Sequence, residues 1–419
     1  MKTFSIIIAL ILTLITSGCS KNSDQAKVDS NSVKAKVKSA QILQSSNKFG
    51  FNLFKAVNQL ADSQNIFISP FSTLEALSMT YNGANGSTKD EMTTTLGFNG
   101  YSDAEVNDYN QSLTSALVAA DSKVAFEVAN SIWYKNGFSV LQPFINLNQT
   151  YYNAQVSQLD FTSPSALATI NNWCSTNTHG KIPTILDNIP TNAVMYLINA
   201  IYFKGSWMYQ FDSTKTIHTA FKKEDKSTVQ HYQMAMEAEV NYYNGTDCQA
   251  IEIPYGDGTF NFVVLLPASG QTISNFISNL DDMKWSSIID QFTKTKVVVK
   301  IPKFKFEFNS LLNNPLINLG MIKVFNKDAD FSKIVGNTDL EISKVIHKTY
   351  IDLNEQGTEA AAVTAVEIIA TVSRPGNNDK TPFFIADRPF VYAITEKSTG
   401  AILFIGKMLD PTIAAGELK

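Results

Sequence analysis

The chain has 419 residues and a formal net charge of −4, from 34 basic and 38 acidic side chains. No stretch concentrates lysine and arginine as binding to a phosphate backbone requires, so the composition argues against a nucleic-acid partner. Length alone would favour two domains, because single hydrophobic cores rarely grow beyond about 250–300 residues.

The N-terminus has the features of an export signal. Met1 and Lys2 precede an apolar run over residues 4–15 that is too short to span a bilayer as a mature helix. The sequence ITSGC at residues 15–19 resembles a bacterial lipobox, in which small residues precede a cysteine that becomes the lipidated N-terminus. We expect a signal peptide over residues 1–18, a lipid on Cys19 and anchoring to a membrane of the cell envelope, at the outer membrane or cell surface. A plain secretory signal with a chance cysteine, and hence extracellular release, is the alternative.

The next residues, 20–38, are mostly Ser, Asn, Lys, Asp and Gln with scattered valines and alanines. This composition is too polar to bury a core of its own. With Cys19 it predicts a flexible tether over residues 19–38.

Helical signals come early in the remaining chain and strand signals come later. Apolar residues recur at helical spacing over residues 72–82, after a Ser-Pro start, and over residues 102–120. Residues 260–267 form a near-continuous apolar run behind a YGDG turn, as in a hairpin, and residues 297–308 alternate in their second half like a half-buried strand. Because these elements do not alternate as regular βαβ units, we predict an α+β fold with large, mainly antiparallel sheets.

Residues 354–371 have two unlike faces when they are read as a strand. From Thr358 onward the charges Glu359 and Glu367 share one face, and the opposite face has only small or apolar uncharged side chains. Alanine is a poor strand former, so this Ala-rich alternation indicates a segment that slides between existing strands without steric blockage. The alternative, which local propensity favours, is a surface helix capped by Thr358. The uncharged face consists of Thr358, Ala360, Ala362, Thr364, Val366 and Ile368.

Several separated motifs resemble the serpin family. They are NIFISPFS at residues 65–72, LINAIYFKGSW at 197–207, NEQGTEAAA at 354–362, DRPF at 387–390 and ILFIGKM at 402–408. The resemblance is collinear over residues 39–411 and outweighs the two-domain expectation from length. It implies a single serpin domain over residues 39–411 with about nine helices and an exposed reactive-centre loop, followed by a C-terminal tail over residues 412–419.

The resemblance also implies roles for individual residues. Alternation over residues 347–354 puts His347 on the buried face of a strand that leads into the hinge of the loop, where an imidazole needs partners. In serpins the matching position belongs to a polar cluster under the central sheet, the shutter, which implies Ser69, Ser72, Asn199 and His347. Trp207 matches the tryptophan of the breach, beneath the point where the loop enters the sheet. The implied hinge consists of Glu355, Gly357, Thr358, Glu359, Ala360, Ala361 and Ala362.

The connection from Gly357 to Pro389 is longer than structureless connections usually are, which indicates a functional loop. Its distal half is polar and rich in turn residues, so we expect it to be exposed and open to proteolysis. The family's usual spacing from Glu355 places the scissile bond between Thr371 and Val372. This loop is longer than is typical of the family, so three rivals stay open: Ile369, Ala370 and Arg374.

The function implied by the resemblance is that of a suicide substrate. A serine protease attacks the loop, forms an acyl-enzyme and is trapped when the cleaved loop enters the central sheet. Thr371 favours elastase-like or subtilisin-like proteases, and Pro375 would hinder cleavage after Arg374 by a trypsin-like one. A cysteine protease stays open as a target, and we expect a monomer. The uncharged inward face of the hinge favours inhibition over the alternative, a non-inhibitory serpin-fold binding protein of the envelope.

The sequence does not indicate an enzyme, a cofactor or a metal site. It has no G-x-S-x-G motif and only four histidines, His179, His218, His231 and His347, and it lacks H-E-x-x-H and C-x-x-C. Residues 326–330 resemble the start of a calcium loop without its glycine and closing glutamate, so we interpret them as a solvated turn. Cys174 and Cys248 are expected to be buried free thiols.

Overall fold

The computed structural model describes residues 32–337, 340–358 and 381–418. Within them, the α-helices are α1 Val33–Lys36, α2 Ile42–Leu60, α3 Pro70–Tyr81, α4 Gly86–Leu96, α5 Asp103–Val118, α6 Gln142–Tyr152, α7 Ala166–Asn177, α8 Ile273–Ser278, α9 Asp282–Asp290, α10 Asn313–Asn318 and α11 Ser332–Val335. The strands are β1 Ile66–Ile68, β2 Val124–Lys135, β3 Gln155–Leu159, β4 Met195–Ser206, β5 Ile217–Lys222, β6 Thr228–Asn244, β7 Cys248–Pro254, β8 Phe260–Pro267, β9 Thr293–Pro302, β10 Phe304–Leu311, β11 Ile346–Asn354, β12 Gly357–Thr358, β13 Phe383–Ile385, β14 Phe390–Glu396, β15 Ile402–Met408 and β16 Ala415–Leu418.

The strands form two sheets. The central sheet has the order β16-β10-β11-β12-β4-β2-β3, and its pairs are antiparallel except at the two edges, β16 with β10 and β2 with β3. The second sheet has the order β1-β15-β14-β8-β7-β6-β9-β13, with β5 also paired to β6, and only β13 with β9 is parallel. The predicted α+β class with large, mainly antiparallel sheets is confirmed.

Helix α3 lies between the two sheets. Ser69 is its N-cap, with its hydroxyl accepting from the Ser72 N–H at 3.0 Å, and Pro70 occupies the first turn, where a missing N–H costs nothing. The helix contacts β4 of the central sheet and β15 of the second sheet, and almost all of its residues are buried. Its polar side chains must therefore find partners inside the protein.

Aromatic side chains join the two sheets into one core. Phe203 on β4 and Phe404 on β15 have ring centroids 6.4 Å apart, and Phe404 stacks on Phe67 of β1 at 5.1 Å. Contacts of this kind between sheets make the protein a single α+β domain.

One predicted strand proves to be two. Residues 297–308 divide at Lys303 into β9 of the second sheet and β10 of the central sheet, while Phe304, Phe306 and Phe308 face the core as the alternation predicts. Pro302 ends β9 because it has no N–H to continue the ladder, and the Lys303 N–H turns to the Tyr232 carbonyl at 2.8 Å.

The structure differs from the sequence prediction at both ends of the domain. Residues 33–36, inside the predicted tether, form α1, whose Val33 is buried, and the Lys38 N–H donates to the Ser112 hydroxyl at 2.9 Å. Residues 415–418, inside the predicted tail, form β16 at the edge of the central sheet. The described residues contain eleven α-helices rather than about nine, and the four-residue helices α1 and α11 account for the difference.

Candidate functional site

The hinge begins as a strand between two other strands. After β11 the chain turns at Glu355 and Gln356, and β12 then pairs antiparallel with β11 on one side and with β4 on the other. Thr358 lies opposite Leu353 and opposite Gly205. Thr358 is thus a strand residue in the middle of the central sheet, whereas the choice between strand and helix for residues 359–371 lies outside the described residues.

Gly357 is required by the close approach of β4. A Cβ atom at this position would lie 2.0 Å from the Gly205 carbonyl oxygen and 2.8 Å from the Ser206 Cα, and both are backbone atoms that cannot move aside alone. The glycine therefore allows the chain to enter the sheet here.

Replacing Gly357 by alanine is expected to push β12 away from β4. Overpacking of this kind costs about 1–3 kcal/mol, and hydrogen exchange of peptides spanning residues 353–358 should speed up accordingly. Gln356→Ala is the matched control, since it keeps the backbone carbonyl that accepts from the Trp207 N–H at 2.9 Å. Equal exchange in the two variants would contradict the steric role of Gly357.

Glu355 fastens the base of the hinge. Its buried carboxylate accepts from the Lys303 ammonium at 2.9 Å and from the Thr216 hydroxyl at 2.8 Å, while its backbone carbonyl accepts from the Phe211 N–H at 3.1 Å. Burial alone would raise the pKa of Glu355, but hydrogen bonds from Lys303, the backbone and Thr216 together hold it below the ordinary value of 4.5. The carboxylate is therefore ionised and tied to the junction between β9 and β10 and to the segment before β5.

The Glu355→Gln variant should lose about 1 kcal/mol of stability at pH 7, a modest figure because the Lys303 side chain is 44% exposed. A lowered folded-state pKa stabilises the protein above pH 4.5, and this contribution disappears as the pH falls through the folded-state pKa. Urea unfolding midpoints of the two proteins should therefore differ at pH 7 and converge as the pH falls below 4.5 and through the folded-state pKa. A difference that persists unchanged at low pH would rule out the ion pair as its cause.

Trp207 and Tyr255 hold the hinge from below. The Trp207 indole N–H donates to the Asn354 carbonyl at 2.9 Å, and the Trp207 ring stacks on Tyr255 with centroids 4.4 Å apart. The buried Tyr255 hydroxyl in turn hydrogen-bonds the Thr358 hydroxyl. Trp207, which the resemblance assigns to the breach, thus contacts the start of the hinge, and Tyr255 is a partner that the sequence analysis missed.

The structure brings all four predicted shutter residues together. The Ser69 N–H donates to His347 Nε2 at 2.9 Å, and the Ser69 hydroxyl donates to the Leu403 carbonyl at 2.7 Å. The Ser72 hydroxyl donates to the Asn199 side-chain oxygen. These bonds tie α3 to β11 and β15 through Ser69 and to β4 through Ser72. The cluster extends further than predicted, because the Asn199 amide also donates to Asn130 of β2 at 2.8 Å.

His347 is neutral in this setting. Burial lowers its pKa to about 4, and its Nε2 accepts a hydrogen bond, so the proton is on Nδ1. Alternation along β11 is as predicted, with His347, Thr349, Ile351 and Leu353 all buried. Its role is structural, since it holds a helix start against a strand.

A cavity of about 610 Å³ lies beyond the hinge, between the first halves of β4 and β11. Its wall includes Ser72 and Thr73 of α3, residues 195–199 of β4 and residues 346–348 of β11. In the described residues β11 and β4 are joined only through the two residues of β12. The central sheet therefore has a lined space where a further strand could fit.

Other predicted site residues lie outside the described part of the chain. These are the remaining hinge residues Glu359, Ala360, Ala361 and Ala362, the proposed reactive bond Thr371–Val372 with its rivals, and Cys19.

The cysteines and the possible metal ligands of the described residues were also compared with the sequence expectations. Cys174 and Cys248 are free and buried as predicted, and burial raises the pKa of their thiols to about 12 and about 11. Within residues 32–337, 340–358 and 381–418, no three His, Cys, Asp or Glu side chains come together as a metal-binding group. None of the helices in these ranges is both long and apolar enough to cross a membrane.

One protein family and several curated proteins match this chain over most of its length. The family described as "Serpin (serine protease inhibitor)" matches residues 44–411. The chain is 32% identical to human leukocyte elastase inhibitor over 384 residues, which cover 88% of this chain and 100% of that protein. It is 31% identical to human neuroserpin over 375 residues, which cover 86% of this chain and 89% of neuroserpin.

Solved structures match the fold. The native state of the thermophilic serpin tengpin aligns with a TM-score of 0.79 at 33% identity, over 88% of this chain and 94% of tengpin. Thyroxine-binding globulin in complex with thyroxine aligns with a TM-score of 0.80 at 28% identity, over 89% of this chain and 100% of that protein. With its hinge between β11 and β4, its shutter and this match over most of its length, the chain belongs to the serpin family.

Proposed function

We propose that this serpin inhibits serine proteases as a suicide substrate. The protease cleaves the loop and forms an acyl-enzyme, and residues 359–371 then enter the central sheet between β11 and β4. Movement of the attached protease with the loop distorts its active site before water can release it. The observation that carries this proposal is the position of Gly357 and Thr358. These residues are already paired with both β11 and β4, at the point where the inserted strand would begin.

The energetics of the path support insertion. Each backbone hydrogen bond that a new strand makes contributes about 0.5–1.5 kcal/mol, whereas an unpaired charge carried into the sheet would cost several kcal/mol. Every side chain on the inward face from Thr358 to Ile368 is uncharged. The hinge can therefore enter the sheet without burying a charge.

Elastase-like or subtilisin-like proteases are the proposed targets, with cleavage between Thr371 and Val372. Support comes from the small, uncharged residues around that bond and from the identity shared with leukocyte elastase inhibitor. Cleavage beside Ile369 or Ala370 would suit the same proteases, and a trypsin-like enzyme would require Arg374.

One experiment separates the possible outcomes. The purified protein is mixed with elastase-like, subtilisin-like and trypsin-like proteases, and the products are separated in denaturant. We expect a covalent complex with one of the first two, and mass spectrometry of the released C-terminal peptide would identify the cut bond. A cut loop without any complex would contradict inhibition and favour a non-inhibitory binding role, as the resemblance to thyroxine-binding globulin would allow.

We also propose that the protein is an exported lipoprotein of the cell envelope that acts as a monomer. The support is the lipobox-like sequence before Cys19 and the polar residues that follow it. Metabolic labelling with a fatty acid should mark the wild-type protein and not a Cys19→Ala variant, which should appear in the soluble fraction. Equal labelling of both would contradict lipidation at Cys19.

A further inference from the structure

Strand β16 covers one edge of the central sheet. It runs parallel to β10, with Ala415 opposite Glu307 and Leu418 opposite Ser310. Just before β16, the Ala414 carbonyl accepts from the Glu307 N–H at 3.1 Å. The outer edge of β10 is therefore a place where a strand can be added, and four residues of the same chain occupy it.

A fixed turn delivers β16 to this edge. The buried Asn65 side chain holds the chain after β15, since its oxygen accepts from the Leu409 N–H at 2.7 Å and its amide donates to the Asp410 carbonyl at 2.7 Å. The Asp410 carboxylate then accepts from the Thr412 N–H at 2.9 Å and from the Thr412 hydroxyl at 2.6 Å. Residues 413–418 are thus directed to β10 by hydrogen bonds that lie outside β16 itself.

The position of β16 also requires a glycine. A Cβ atom on Gly416 would lie 2.9 Å from the Asn65 carbonyl oxygen and 3.1 Å from Phe308 Cδ2. The carbonyl oxygen belongs to the backbone and cannot move aside alone. A larger side chain at position 416 should therefore push β16 away from β10, whereas the neighbouring Ala415 is exposed.

Without β16, the edge of the central sheet would be long and regular. β10 has eight residues, and its Phe304, Phe306 and Phe308 are buried in the core, which holds the strand extended. An open edge of this length, with a row of unpaired N–H and C=O groups, is a template for another strand, and very short edge strands are one way in which proteins avoid this. With its four residues, β16 replaces a long edge by a short one.

A second copy of the chain is the partner that best fits an open β10 edge. The Glu307 N–H points outward, toward β16, so the backbone groups of Lys305 and Asn309, at alternate positions of the strand, point outward with it. In an antiparallel pair of two β10 strands centred on Phe306, Lys305 of each copy would lie opposite Glu307 of the other. Both side chains are exposed, so opposite charges would meet twice across the two-fold axis.

We propose that β16 prevents dimerisation of this protein, because it occupies the edge of β10 on which a second copy would otherwise pair antiparallel through its own β10. Displacing β16 leaves the outward backbone groups of β10 without partners, and pairing with a second copy satisfies them again. Because the contact surface is the same on both copies, the association closes as a dimer and does not grow further.

Gly416→Val tests this proposal on the full chain. Its matched control is Ala415→Val, which adds the same side chain at the exposed neighbouring position. Sedimentation velocity of the uncut proteins should show a dimer for Gly416→Val, with a dissociation constant at least about tenfold lower than that of the control or of wild type. A variant that lacks residues 413–418 should dimerise in the same way. The proposal is overturned if both variants stay as monomeric as the control, or if they form oligomers larger than a dimer.

Hydrogen exchange and a charge swap locate the contact. In monomeric Gly416→Val the Glu307 amide has lost the Ala414 carbonyl, so it should exchange at least about tenfold faster than in wild type, and dimerisation should slow it again. Adding Glu307→Lys places like charges opposite each other and should weaken the dimer at least about fivefold. Adding Lys305→Glu as well should restore it.

Two results of these measurements would show that β10 is not the contact. One is protection on dimerisation that appears at β3, the strand at the other edge of the central sheet, and not at β10. The other is a dimer that is indifferent to both charge changes. The measurements use uncut protein and no protease, so absence of a covalent complex would count against the proposed inhibition and leave this proposal untouched.

Discussion

The Thr358→Arg variant is expected to be cut by the target protease without trapping it. Thr358 is 3% exposed, lies between β11 and β4, and its hydroxyl hydrogen-bonds Tyr255. Because a guanidinium group costs several kcal/mol to bury here, it should push β12 out from between β11 and β4 in the uncut protein. Insertion after cleavage would then have to bury the charge. About 3 kcal/mol in the barrier to insertion slows it roughly a hundredfold, so hydrolysis of the acyl-enzyme would win.

Gln356→Arg is the matched control for this variant. It adds the same charge two residues away, in the turn before β12, where the side chain is only half-buried. The ratio of covalent complex to cleaved product, measured by electrophoresis in denaturant, should collapse for Thr358→Arg and stay close to wild type for Gln356→Arg. Unchanged trapping by Thr358→Arg would contradict insertion through the hinge.

Cleavage of the loop is expected to make the protein much more resistant to heat. A strand inserted between β11 and β4 would make on the order of ten new backbone hydrogen bonds at ~1 kcal/mol each. It would also fill the cavity of about 610 Å³. For a large domain each kcal/mol raises the Tm by about 2 °C, so we expect an increase of at least ~10 °C.

Scanning calorimetry of intact and cleaved protein provides the measurement. Cleaved Thr358→Arg is the control, because its loop is cut equally but its first inward residue is charged, so it should gain much less. If the cleaved wild type melts with the intact protein, the native fold stores no energy for trapping.

Local pattern predicted those parts of the site that lie on one strand or one helix. The alternation from His347 to Leu353 and the helix that follows the Ser-Pro start at Ser69 can be read within a few residues, and the structure has both. The shutter set came from resemblance, since no local pattern shows that Ser72 and Asn199 meet.

Local sequence pattern could not identify partners that only sheet pairing brings together. Tyr255 reaches Thr358 across 103 positions of sequence, and Asn130 reaches Asn199 across 69. A tyrosine next to a turn or an asparagine in a strand has the same sequence signature when it faces solvent. For the same reason nothing in the sequence predicts β16, whose four residues Ala415–Leu418 pair with β10 through the backbone.

The strand that follows the loop affects how long the uncut protein keeps its loop outside the central sheet. The chain after the loop rejoins the second sheet at β13, a strand of only three residues paired with β9. In the uncut protein the loop is held by β12 in the central sheet and by β13 in the second sheet. It could insert fully into the central sheet only after β13 had separated from β9. Three paired residues are a weak barrier to that separation. Lengthening the pairing of β13 with β9 should therefore slow full insertion of the uncut loop.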